Sequence, residues 1–268
     1  MNPLKDYICN YITSWATLKQ TMLAEIEKSG KPYLFRYRPD NDFTLDEIEN
    51  SYIYFQKREL LNDPFDSTPN LIELKNIDIK KLFKAFEIIA GKKQIEYIKE
   101  KLSPKQLEQT IRESIPNFIN KHGIACFSML PGINMPLLTN YANNHKGLYL
   151  QYNMDLDSDF FKGLRFMNYQ KELKKIPIEL LENEEDIFEI FYLKQENWAY
   201  EKELRLVKEN FGRHNLNKNA LRNIICGYNC TENYIEKVLK ANKLNEHVSV
   251  WKMEKPSEHN RLKLDLIK

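Results

Sequence analysis

The sequence predicts an α+β protein, and three observations carry that expectation. Residues 11–29 and 77–121 place apolar side chains at helical spacing. After Gly123 the chain breaks into short runs that alternate apolar and polar side chains or are briefly all apolar, as strands do. Few glycines, eight in 268 residues, and no low-complexity linker argue for one ordered domain. Within it, residues 1–30 form an N-terminal helical segment and 77–121 a helical insertion or cap.

The elements follow in order. Ile12, Trp15, Leu18, Met22 and Ile26 make one apolar helix face that stops at Gly30. Tyr33–Arg38 reads as a strand ended by Pro39, with Arg36 and Arg38 on one face and Tyr33, Phe35 and Tyr37 on the other. Thr44, with Glu47 three residues on, reads as the cap of a short helix, and Tyr52–Phe55 as a second strand. Asn62-Asp63-Pro64-Phe65-Asp66 is turn chemistry. The helical stretch breaks near Gly91 and restarts at Ser103-Pro104, where Gln106 completes a capping box. Strands are then expected at 124–128, 147–152, 163–168, 204–207, 224–226, 248–253 and 262–266. A helix is expected from about Glu184 to Asn197, and another capped by Thr231.

Composition narrows the function classes. Charged residues nearly balance, for a formal charge of +2, which argues against a strongly basic nucleic-acid binder. No apolar run reaches the roughly 18 residues of a membrane span, and no signal-peptide pattern opens the chain, so a cytoplasmic location is expected. Cys9, Cys126, Cys226 and Cys230 complete no zinc pattern and read as free thiols.

Several residues could carry chemistry. The run from Trp198 to Val207 reads as a strand, which puts Glu201, Glu203 and Arg205 on one face. Two carboxylates about 6–7 Å apart along one strand face repel each other, so such a pair on a buried face invites a functional explanation, whereas on a solvated face the two read more simply as exposed glutamates paired with Arg205 and Lys202. Arg36 and Arg38 offer two planar forks of donors, suited to a pyrophosphate, but read more simply as a solvated edge strand whose positive charges discourage pairing. Ser128 ends an apolar strand, where a hydroxyl can position a ligand or brace a carboxylate. Tyr141 could stack on a planar ring, while His145 before Gly147 reads as a surface histidine. Asp63 and Asp66 could hold Mg²⁺ together with the glutamates, as in a nuclease, but read more simply as a turn.

Five of these pieces, in this order, resemble the bacterial family catalogued as domain of unknown function 2971. They are Phe35-Arg36-Tyr37-Arg38, Asn62–Asp66, Cys126-Phe127-Ser128, Tyr141-Ala142 with His145-Lys146-Gly147, and Trp198-Ala199-Tyr200-Glu201-Lys202-Glu203-Leu204-Arg205. Leu138 and Asn140 stand where the family commonly has Trp and His. The motif order is also similar, more remotely, to the Arg–Ser–Glu layout of ADP-ribosyltransferases. That resemblance implies a split antiparallel β core and NAD as substrate. Arg38 or Arg36 would clamp the pyrophosphate, Ser128 would brace the site, and Tyr141 would stack near nicotinamide. Glu203 would face the ribosyl cation, and Glu201 would orient or deprotonate a macromolecular acceptor, protein or nucleic acid. A toxin or phage-defence effector is the implied setting. The implied enzyme is an ADP-ribosyltransferase or an NAD glycohydrolase, with a non-catalytic binding module of the same fold and a Mg²⁺-dependent nuclease as the alternatives.

Overall fold

The computed structural model describes residues 33–74, 78–91, 95, 98, 101–129, 134–255 and 263–268. The expected helix at 11–29 and Cys9 lie outside them. The strands are β1 (Tyr33–Arg38), β2 (Tyr52–Phe55), β3 (Ile72–Glu73), β4 (Gly123–Ser128) and β5 (Leu148–Asn153), then β6 (Arg165–Phe166), β7 (Asn168–Gln170), β8 (Ile176–Pro177), β9 (Leu193–Gln195) and β10 (Glu203–Lys208). They end with β11 (Gly212–Asn215), β12 (Leu221–Cys226), β13 (Ser249–Met253) and β14 (Leu264–Leu266). The α-helices among the described residues are α1 (Asp42–Glu49), α2 (Ile79–Ala90), α3 (Pro104–Lys121), α4 (Met135–Tyr141), α5 (Glu184–Ile187) and α6 (Glu232–Ala241).

Eight strands form one sheet in the order β14-β13-β12-β5-β1-β4-β10-β6. The fold is therefore α+β, as expected, but the sheet is mixed rather than antiparallel throughout. β12 and β13 run parallel because α6 makes the crossover between them, which a hairpin cannot do. Thr231 caps α6 as its hydroxyl predicts, and Tyr234 and Val238 face inward.

Two other expectations change. The cap of α1 is Asn41, whose side chain accepts from the Thr44 amide, while the Thr44 hydroxyl donates to the Pro39 carbonyl. Glu47 is thereby freed from capping and turned into the protein. The long helix expected at 184–197 stops at Ile187, and the chain continues through a 3₁₀ segment, Phe188–Tyr192, into β9. β9 pairs in parallel with β7, a pairing that periodicity within the segment cannot reveal.

The helical insertion is built as its sequence implies. Asp78 caps α2, Gly91 ends it with a φ of 86°, and Ser103 and Gln106 form the capping box of α3. Leu82 and Phe86 of α2 meet Leu107, Ile111 and Ile115 of α3 in a core that extends to Tyr169, Leu193 and Phe191. Each such side chain contributes roughly 1.5–3 kcal/mol by leaving water. This packing carries β7 and β9 up against the sheet beside β10.

Candidate active site

A cleft opens where the sheet loses continuity. β1 and β4 are in register at one pair only, Phe35 with Ser128. At the other end of β4, Ile124 bridges instead to Gln56, just after β2. Between these two contacts lies a cavity of about 310 Å³, walled by Arg36 and Arg38 on one side and by Cys126 and Ser128 on the other. Glu201, Glu203 and Tyr141 also line it. Arg36, Arg38, Ser128, Tyr141, Glu201 and Glu203, chosen from separate stretches of sequence, thus share one cavity.

The acidic pair is not on one strand face. Residues 196–201 form a 3₁₀ segment, and Lys202 closes it in the left-handed conformation with φ 45°. β10 begins only at Glu203. Glu203 and Arg205 do share a face, as alternation requires, and the Arg205 Nε donates to Glu203 Oε1 at 2.8 Å. The turn at Lys202 brings Glu201 back beside them. Ser128 fixes that turn, since its hydroxyl donates to the Glu201 carbonyl at 3.0 Å.

Lys194 joins the two glutamates. Its ammonium donates to Glu201 Oε2 at 2.6 Å and to Glu203 Oε2 at 2.8 Å, and lies 3.9 Å from Asp66 Oδ2. Arg205, with no exposed surface, takes both oxygens of Asp66, at 2.7 and 2.8 Å, and the carbonyl of Phe191. Three carboxylates are thus held by two buried cations. Lys194 has no signal in the sequence because its surroundings read as helix, whereas Asp66, a sequence candidate beside the glutamates, joins them through Arg205 and Lys194. Asp63 does serve the turn, accepting from the Phe65 amide at 2.9 Å. Among the described residues, no group of three or more His, Cys, Asp and Glu side chains is arranged to hold a metal ion.

The electrostatics separate the two glutamates. Burial alone would raise the Glu203 carboxyl, but Arg205 and Lys194 outweigh it and hold the group down to about 2. The Cys126 thiol adds a hydrogen bond to Glu203. Glu201 goes the other way: burial raises it, Glu203 adds to the rise, and Lys194 offsets only part. Burial would lower Lys194, yet Glu203 and Glu201 raise it, so it stays an ammonium. One carboxylate is locked in its ionised form, and its neighbour binds a proton more readily than a free glutamate does.

On the opposite wall the two arginines differ. Arg36 is buried, pairs with Glu47 and donates to the Tyr54 carbonyl at 2.9 Å. Arg38 pairs with Glu47 Oε2 at 2.9 Å, but its side chain keeps 20% of its surface and its Nε has no hydrogen-bond partner. Arg38 is the one with donors to offer a ligand. Tyr141 contributes its hydroxyl to the acidic cluster, donating to Glu201 Oε1 at 2.6 Å. His145 is buried rather than surface-exposed and stacks on Tyr228 with centroids 4.5 Å apart. The Cys126, Cys226 and Cys230 thiols are free, as expected. No helix among the described residues is long and apolar enough to cross a membrane. No family model, curated protein or solved structure matches the chain.

Proposed function

We propose that this chain consumes NAD, breaking the nicotinamide–ribose bond and passing ADP-ribose to an acceptor. The observation that supports the reading is the meeting of Arg38, Ser128, Glu201 and Glu203 in one cavity. Cleavage of that bond builds positive charge on the ribose, so a fixed carboxylate facing it stabilises the transition state more than the ground state. Glu203 suits this role because Arg205 and Lys194 keep it ionised at any working pH. Glu201, whose carboxyl is raised, suits the complementary role of accepting the acceptor's proton. Arg38 supplies donors for the pyrophosphate.

One observation favours a second reading, a ligand-binding module without catalysis. Both oxygens of Glu203 are already engaged by buried cations, as in a purely structural ion network. A single experiment separates the two. Nicotinamide release and label transfer from NAD are measured for the wild type and for Glu203→Gln, with circular dichroism confirming that the variant is folded. Turnover in the wild type and its loss in the variant support the enzyme. NAD binding without turnover identifies the binding module, and turnover retained in folded Glu203→Gln refutes the assigned role.

A further inference from the structure

Tyr141 presents its hydroxyl, rather than its ring face, to the acidic cluster. The oxygen donates to Glu201 Oε1 at 2.6 Å and accepts from Asn62 Nδ2 at 2.8 Å. A phenol has one proton and two lone pairs, so one acceptor position on Tyr141 remains for a ligand. The tyrosine is held firmly. It ends α4, and the three residues Asn143, Asn144 and His145 that follow closely all have left-handed φ values of 45°, 51° and 65°. Such residues cost roughly 1–2 kcal/mol each in L-amino acids, and strain of this kind gathers where side-chain placement matters. Burial and the neighbouring Glu201 raise the phenol, so it keeps its proton throughout the working range.

Glu201 is closed on both oxygens, by Tyr141 on one and by the Lys194 ammonium on the other. A guanidinium or ammonium acceptor would have to displace Lys194 or lie against it at like charge. A neutral hydroxyl meets no such repulsion and can donate to the open lone pair of Tyr141.

We propose that Tyr141 is a catalytic proton relay to Glu201 and that the acceptor attacks through a neutral hydroxyl, not through a guanidinium. This rests on the NAD-consuming reading above. In the step, the acceptor oxygen bonds to the ribose C1′ as the C1′–N bond breaks, and the bonding pair leaves with nicotinamide, which becomes neutral. The acceptor proton passes to Tyr141 Oη, and the Tyr141 proton passes to Glu201 Oε1. The enzyme ends one proton richer and releases it to solvent.

The test uses the whole chain with NAD in water, with added methanol, or with added agmatine as a guanidinium probe. The wild type is expected to yield ADP-ribose and its methyl glycoside and no agmatine adduct. Tyr141→Phe is expected to lower kcat for both hydroxyl acceptors by about 30-fold or more while the KM for NAD stays within about threefold. A solvent deuterium isotope effect of about two on wild-type transfer is expected as an independent sign of the relay. An agmatine adduct formed faster, mole for mole, than the methyl glycoside overturns the acceptor assignment. An unchanged kcat in Tyr141→Phe, or the absence of an isotope effect, overturns the relay while leaving NAD cleavage standing. A wild type that releases no nicotinamide overturns both.

Discussion

Replacing Lys194 with methionine keeps an unbranched side chain one atom shorter and removes the one ammonium shared by Glu201, Glu203 and Asp66. At an effective dielectric of about 20, separations of 2.6, 2.8 and 3.9 Å correspond to about 6 kcal/mol with each glutamate and about 4 kcal/mol with Asp66. Burying the ammonium offsets several kcal/mol of this, and breaking one side of a buried ionic network costs about 3–5 kcal/mol net. For a chain of this length that is a fall of roughly 10 °C in Tm. The loss depends on pH. Without the ammonium, burial and Glu203 raise the Glu201 carboxyl further. A carboxyl raised in the folded state favours folding below its unfolded value, and that contribution disappears as pH rises through the folded value. The deficit of Lys194→Met is therefore smaller near pH 5 than near pH 8. Urea unfolding of wild type and variant at the two pH values measures both quantities. A deficit under about 1 kcal/mol at pH 8, or one that grows toward pH 5, refutes the electrostatic account of the cluster.

The two arginines of β1 separate stability from binding. Arg36→Ala leaves buried Glu47 half-paired and is expected to cost about 3 kcal/mol in urea unfolding. Arg38→Ala is expected to cost about 1 kcal/mol but to raise the KM for NAD about tenfold at nearly constant kcat, read by steady-state kinetics. Gly147→Ala would place a methyl group 2.1 Å from the Arg38 carbonyl oxygen and 3.0 Å from Pro39 Cα, both backbone atoms. The strands must part to admit it, so a loss of about 2–4 kcal/mol is expected by thermal unfolding, with a weaker hold on NAD.

Most of the scaffold was legible because its signals are local. Ser103, Gln106 and Gly91 mark helix ends through their own hydrogen bonds and φ, and the alternation of β1 puts Arg36 and Arg38 on the same side. The candidate site was legible in membership and not in construction. Glu203 and Arg205 follow from strand alternation, whereas Glu201 reaches them only through the left-handed turn at Lys202, a conformation that lysine does not announce. Lys194 escaped for a different reason. Its partners Glu201 and Glu203 lie only seven and nine residues on, but the chain reaches them through a strand and a 3₁₀ turn where the pattern suggests a helix, and the Asp66–Arg205 pair, 139 residues apart, leaves no periodic trace at all. The parallel course of β12 and β13 was equally invisible, because direction within a sheet is decided by the crossover rather than by the strands.

The cleft exists because β1 and β4 part company after a single pair of residues. One wall therefore belongs to the ladder of β1 with β5, and the other to the ladder of β4 with β10. Each ladder keeps its own hydrogen bonds whatever side chains it turns toward the gap. Substitutions on the arginine wall and on the glutamate wall are accordingly expected to add in their cost to the fold, a point that a double-mutant cycle of Arg38→Ala with Lys194→Met would check.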